Sequence, residues 1–211
     1  MSKKLEKIDW KYAKPVIGMM GAPGSGKSLV ARQFEALGCY VIDADKLAKE
    51  AINQLEVQEE LRKWWGEDVI GEDGLIDRVV VAKQVFENKA NLERLEGLVH
   101  PVVGRLRSEE REKAFSDPEV KAVVEDCPLL IEVGLDEECD VLVYIDVPWE
   151  IRLKRVAETR GWDEAELRKR EKNQALLDTK RQRADYVVSN DSDLAHCEGQ
   201  VRGIASLIFP V

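Results

Sequence analysis

The chain has 211 residues, 44% of them hydrophobic and 35% charged, with 41 acidic side chains against 32 basic ones and a net charge of −9. That length suits one compact α/β domain with insertions. No apolar run reaches the ~18 residues of a membrane span, and the acidity excludes general binding to nucleic-acid backbones. Residues 1–14, MSKKLEKIDWKYAK, are basic without an apolar stretch, so they read as a solvated extension rather than a signal peptide.

Residues 16–20 predict the first strand, and the chain then enters Gly21-Ala22-Pro23-Gly24-Ser25-Gly26-Lys27-Ser28. This satisfies G-x-x-x-x-G-K-[ST], a pattern with a mechanical reason. Glycines at 21, 24 and 26 let the backbone take left-handed or strained angles, so that successive N–H groups point into one hollow. A helix starting near Lys27 adds its positive end to that hollow. Lys27 then reaches the β- and γ-phosphates of a nucleotide, and the Ser28 hydroxyl serves Mg²⁺. Pro23 has no N–H, so residues 24–28 supply the donors. The expected nucleotide-binding stretch is Gly21 to Leu29, with ATP and Mg²⁺ as its ligands.

A helix over residues 28–37 stops at Gly38, and residues 40–42 read as a second buried strand running into Asp43-Ala44-Asp45. Strand, phosphate loop, helix and strand make a βαβ unit with parallel strands. Ligands of such sheets sit beyond the carboxyl ends of the strands. Asp45 is there either a helix N-cap or a carboxylate that orients or deprotonates an acceptor hydroxyl.

Residues 46–115 read as mostly helical, with turns at Gly66 and Gly71-Glu72-Asp73-Gly74 and a break at His100-Pro101. So long a helical stretch between two strands predicts a separate lobe that holds a second substrate. Trp64 and Trp65, at helical spacing with Leu61, are expected in the core. A third strand over residues 120–126 ends in Glu125-Asp126. A carboxylate there is placed to hold the Mg²⁺ shell, with Asp126 the candidate and Glu125 open.

A fourth strand runs from Asp140 into a proline turn at Pro148, and two helices follow, parted by Gly161-Trp162-Asp163. Residues 151–183 carry eleven Lys or Arg against six Asp or Glu, against the sign of the whole chain. A positive helical pair in a nucleotide-binding chain predicts a lid that neutralises the transferring phosphoryl group and excludes water. Residues 186–188 form a fifth short strand before Ser189-Asn190, and residues 194–208 a closing helix. Cysteines 39, 127, 139 and 197 show neither C-x-x-C nor zinc spacing, which predicts reduced, buried thiols in a cytoplasmic protein.

Taken together, the phosphate loop, VIDAD (41–45), GEDGLIDR (71–78), VF (85–86), HP (100–101), EDCPLLIEVGL (125–135), VLVYIDVP (141–148) and KRQRADYVVSN (180–190) resemble the dephospho-coenzyme A kinase family, in order and spacing, over about residues 15–208. The resemblance implies a P-loop NTPase core with a parallel sheet of about five strands (residues 15–45, 116–150 and 184–211). It adds a helical CoA-binding lobe (46–115) and a helical lid (151–183), all in one domain of residues 15–211. It implies ATP-dependent phosphorylation of the ribose 3′-hydroxyl of dephospho-CoA. Asp45 acts on that hydroxyl in this reading, Arg155 is the catalytic lid arginine, and Asn190 lies by the adenine. Arg78, His100, Pro101, Pro128, Leu129 and Leu130 fall in the substrate-binding segments.

The partners expected are small molecules, with no nucleic acid and no membrane, and nothing in the sequence specifies a copy number. Three departures from the family pattern stand out. Ala22 replaces a glycine, Leu29 replaces a hydroxyl residue that can touch the α-phosphate, and Ile52-Asn53-Gln54-Leu55 stands where the family has Pro-Gly. They motivate one alternative, a diverged nucleotide- or CoA-binding paralogue without catalysis. The loop spelling GAPGSGK motivates another, a nucleoside monophosphate kinase such as an adenylate kinase.

Overall fold

Residues 10–86, 88–172, 174 and 177–209 are described by the computed structural model. In chain order the elements are β1 (Val16–Gly21), α1 (Lys27–Glu35), β2 (Cys39–Asp43), α2 (Ala44–Ala51), α3 (Leu55–Trp65), α4 (Arg78–Phe86) and α5 (Lys89–Ser116). Then come β3 (Ala122–Asp126), β4 (Val141–Asp146), α6 (Trp149–Arg160), α7 (Glu164–Lys172), α8 (Leu177–Arg183), β5 (Tyr186–Ser189) and α9 (Leu194–Ile208). The chain divides into two compact units. One runs up to Asp43 and resumes at Arg111, and the other is Ala44–Glu110.

The first unit is built on a parallel sheet in the order β2-β3-β1-β4-β5. β1 is central, with its successors β2 and β3 on one side and β4 and β5 on the other. Such a reversal of strand order opens a crevice at the carboxyl ends of the strands. Parallel strands covered on both faces read as continuous apolar runs, and every residue of β1 and β3 is buried. Phe34 and Val30 of α1 pack with Val201 and Ile204 of α9 against Ile17, Met19, Val143 and Ile145 of the sheet.

The second strand departs from expectation. β2 is an edge strand, so two of its residues, Tyr40 and Val41, are only half-buried. Residues 10–14 are tied to the same unit: Lys11 Nζ donates to the carbonyls of Glu137 (2.6 Å) and Cys139 (2.8 Å), and Lys14 Nζ to that of Ala114 (2.9 Å). All four cysteines are free and buried, and desolvation pushes the thiols of Cys39 and Cys139 up to about 12.

In the helical unit, Ile70 and Ile76 form an antiparallel bridge around the Gly71–Gly74 turn, where the Gly71 N–H donates to the Leu75 carbonyl (2.7 Å). Asn53 Oδ1 accepts from the Ile76 N–H (2.8 Å), and Gln58 Nε2 donates to the Gly74 carbonyl (3.2 Å). The expected helix break at His100-Pro101 is absent: α5 runs unbroken for 28 residues with Pro101 inside it. A proline interrupts one backbone hydrogen bond and strains the preceding turn, yet long helical flanks carry the helix past it. Trp64 and Trp65 are half-buried rather than core, and Arg94 lies over the Trp64 ring at 3.7 Å. No helix among the described residues is long and apolar enough to cross a membrane.

Candidate active site

The hollow at the end of β1 is formed by backbone. Gly24 and Gly26 have φ of 81° and 84°, and Gly26 caps α1, which begins at Lys27. Gly21 does not take a left-handed angle as expected; its constraint is space. A Cβ there would lie 2.7 Å from Ser25 Oγ and 3.0 Å from the Ile145 carbonyl. One expected phosphate donor is also engaged, since the Ser25 N–H closes a turn onto the Ala22 carbonyl (3.1 Å). Ser25 Oγ is buried with no hydrogen-bond partner among the described residues. Lys27 Nζ donates to the Gly21 carbonyl (3.1 Å), which holds the ammonium at the mouth of the loop.

β3 separates the two acidic candidates, because successive side chains of a strand face opposite ways. Ser28 Oγ donates to Asp126 Oδ2 at 3.2 Å, joining the first turn of α1 to the end of β3. Glu125 turns instead to Arg111, whose guanidinium also binds Glu138 at 2.8 Å. A hydroxyl and a carboxylate side by side are oxygen donors of the kind a hard cation takes. Asp43 pairs in register with Asp126, so β2 and β3 end level. Asp45 follows two residues on, in the first turn of α2, and thus begins the helical unit.

From the other side α6 and β5 close on the loop. The half-buried Arg155 brings Nη1 to 4.0 Å from where a Cβ on Gly26 would stand, and its side chain has no hydrogen bond or ion pair among the described residues. Asn190, expected by an adenine, is buried and donates from Nδ2 to the Ser25 carbonyl at 2.8 Å. Its amide therefore braces the loop directly. β5 lies beside β4, and the Asn190 N–H donates to the Asp146 carbonyl (3.1 Å), so the residue arrives level with the loop.

The remaining candidates are more scattered. Arg78 opens α4, and His100 and Pro101 sit midway along α5, all in the helical unit. Of the Pro-Leu-Leu run, Leu129 is exposed and Pro128 half-buried. Leu130 is fully buried, where its Cδ2 would meet a Cβ on Gly18 at 2.7 Å, so it packs the sheet instead of facing a ligand.

Besides Arg111, two more buried cations escaped the sequence reading. Lys180, 1% exposed, donates to the Pro128 carbonyl (3.1 Å) and pairs with Glu132 (3.0 Å), fixing the segment after β3 from the short helix α8, itself unanticipated. Arg152, 5% exposed, donates to the carbonyls of Val147 and Pro23 and pairs with Glu171. Its signal was its spacing: Arg152 lies four residues before buried Val156, on the inward stripe of α6.

The sequence pattern of the dephospho-CoA kinase family matches residues 15–196. A dephospho-CoA kinase of Bacillus licheniformis is 37% identical over 187 residues, which cover 88% of this chain and 92% of that protein. One of Deinococcus radiodurans is 37% identical over 185 residues, 88% of each chain. Among solved structures, a Thermus thermophilus protein superposes with a TM-score of 0.78 at 33% identity, covering 92% of this chain and 96% of its own. A Campylobacter jejuni dephospho-CoA kinase shares the fold, with a TM-score of 0.69 at 23% identity over 93% and 98% of the two chains. With a matched stretch running from the residue before β1 into α9, the chain belongs to the dephospho-CoA kinase family.

Proposed function

We propose that the chain is a dephospho-CoA kinase, transferring the γ-phosphoryl group of ATP to the ribose 3′-hydroxyl of dephospho-CoA to give CoA and ADP. Family membership over residues 15–196 is the observation that carries this reading. The phosphate loop supports it independently, since a backbone hollow at a helix N-terminus is suited to phosphate. Its free thiols suit a cytoplasmic setting.

Phosphoryl transfer passes through a loose transition state, so positioning and charge neutralisation do most of the work. The loop N–H groups hold the β-phosphate, and Lys27 neutralises the β- and γ-oxygens. Arg155 covers the γ-phosphate from α6 as charge builds on it. Asp45 orients the acceptor hydroxyl and takes its proton while the new P–O bond forms. The bond to the β-phosphate oxygen breaks, and ADP leaves. Arg78, His100 and Pro101 hold the acceptor from their helices and Leu129 from the turn after β3, and residues 151–183 act as the lid that excludes water.

The pair of Ser28 and Asp126, 3.2 Å apart, fits Mg²⁺. Among the described residues no three His, Cys, Asp or Glu side chains cluster. Mg²⁺ takes one or two protein oxygens and completes its shell with phosphate and water. Held by Ser28 and Asp126, such an ion would supply positive charge to the phosphate groups during transfer.

The test is ADP release from ATP and Mg²⁺ with dephospho-CoA, with AMP, and with neither. Turnover that depends on dephospho-CoA is the expected result. Turnover with AMP alone makes the chain an adenylate kinase, and ATP binding without any transfer makes it a diverged binding paralogue. Asp45→Asn is expected to leave ATP binding intact and to lower turnover by about a hundredfold or more; unchanged turnover removes Asp45 from the mechanism.

A further inference from the structure

Arg152 is a charge in an almost fully buried place, and three separate stretches of chain meet on it. Its Nε donates to the Val147 carbonyl (3.2 Å), at the end of β4. Its Nη1 donates to the Pro23 carbonyl (3.3 Å), in the phosphate loop, and to Glu171 Oε2 (2.7 Å), near the end of α7. The Trp149 ring lies 5.2 Å from its guanidinium carbon and takes Arg168 of α7 at 4.5 Å. The loop also rests on the same turn of α6: a Cβ on Gly24 would stand 2.8 Å from Val156 Cγ1 and 3.1 Å from the Arg152 carbonyl.

We infer that Arg152 and Glu171 form a latch through which α7 sets the shape of the phosphate loop, which makes Arg152 a positioning residue for phosphoryl transfer. A loop that aims its N–H groups at a phosphate leaves carbonyls to be satisfied elsewhere, and Arg152 satisfies that of Pro23. Arginine keeps its charge under all ordinary conditions, and a buried charge is tolerated only when paired. Glu171 is its carboxylate. If α7 moves and takes Glu171 with it, the guanidinium is left in the interior with neutral carbonyls alone, and it gains by turning out to water. Pro23 then loses its donor. The position of α7 and the shape of the loop thus belong to one equilibrium.

This inference rests on the reading of residues 151–183 as the lid of a phosphotransferase. In that setting a broken latch slows transfer and lets water compete for the γ-phosphoryl group.

Glu171→Gln and Arg152→Gln, singly and together in the full chain, test it. Three quantities are measured: steady-state transfer to dephospho-CoA, ADP release with ATP alone, and the melting temperature. For Glu171→Gln, whose side chain is 29% exposed, kcat is expected to fall by about ten- to a hundredfold while the KM for dephospho-CoA stays within about twofold. Hydrolysis rises relative to transfer, and the double variant is no slower than the slower single one. A lowered melting temperature with kcat and the hydrolysis-to-transfer ratio unchanged overturns the latch and leaves a structural ion pair. Should Arg152→Gln fail to fold, Glu171→Gln decides alone. A wild-type chain that hydrolyses ATP without transfer tells against the kinase reading only, because the hydrolysis rates of the variants still test the latch. A wild-type chain inert in both assays overturns both.

Discussion

In the unit that carries the phosphate loop, nearly every atom near the loop has one place to be. Asn190 fills the space beside Gly26, Val156 and Arg152 the space beside Gly24, and Ile145 the space beside Gly21. In Ala44–Glu110 the same kinds of residue are under looser terms. Leu55, Leu75, Val79, Phe86 and Leu92 stand exposed, and glycines 66, 74, 97 and 104 have no neighbour within 4 Å of where a Cβ would go. The contrast fits the roles proposed above for the loop and for the helical unit. A phosphate cradle binds a small, rigid, highly charged group and must be built before the ligand arrives. The helical unit, proposed above to hold a long, flexible acceptor, is under no such demand.

Five substitutions break or sharpen that contrast. The largest effect is expected from Lys27→Ala, which should lower turnover by about a thousandfold and weaken ATP binding; a silent result would remove the loop from the chemistry. Next comes a matched pair of left-handed glycines, Gly26 (φ 84°, ψ 32°) in the loop and Gly161 (φ 66°, ψ 22°) at an open helix end. Gly26→Ala adds to the backbone penalty a Cβ 2.5 Å from Asn190 Nδ2, whereas Gly161→Ala meets open space. Denaturant melts should give a loss of about 2–3 kcal/mol for the first and about 1 kcal/mol for the second. Equal losses would mean that the loop gives way as easily as a surface turn.

Pro101→Ala should run the other way. It restores a backbone donor to the middle of α5, and a gain of about 1–3 kcal/mol in unfolding free energy is expected, together with a higher KM for dephospho-CoA. A loss of stability would show that Pro101 is needed by the helical unit itself. The smallest effect belongs to Val79→Thr, at a side chain that is 66% exposed. Stability should stay within about 0.5 kcal/mol, and a change above 1 kcal/mol in the same melts would place Val79 in a packed surface.

The same contrast governs what could be read from the sequence. The strands, the loop, the start of α1 and the five-stranded parallel sheet were legible because each rests on local rules: an apolar run, a glycine, a lysine at fixed spacing. Where a decision lay between neighbours, periodicity did not settle it, and the pairing of Glu125 with Arg111 and of Asp126 with Ser28 came only with the fold. Arg152 and Asn190 were harder still. Their partners in the loop lie 129 and 165 residues away in sequence, and no local pattern encodes such a meeting. The unbroken α5 was missed because a proline's penalty is local while the support of 28 helical residues is not. The edge position of β2 depends on strand order, which no single strand carries.

The buried thiols have a consequence in redox chemistry. The proposed substrate and product both end in a free thiol, and in oxidised form they are disulfides able to cap any reactive cysteine they meet. Thiol–disulfide exchange starts from a thiolate. With burial pushing their pKa up to about 12, Cys39 and Cys139 stay protonated at neutral pH. Cys127 and Cys197 are out of reach of solvent as well. A protein built this way can work among thiols and disulfides without entering their exchange.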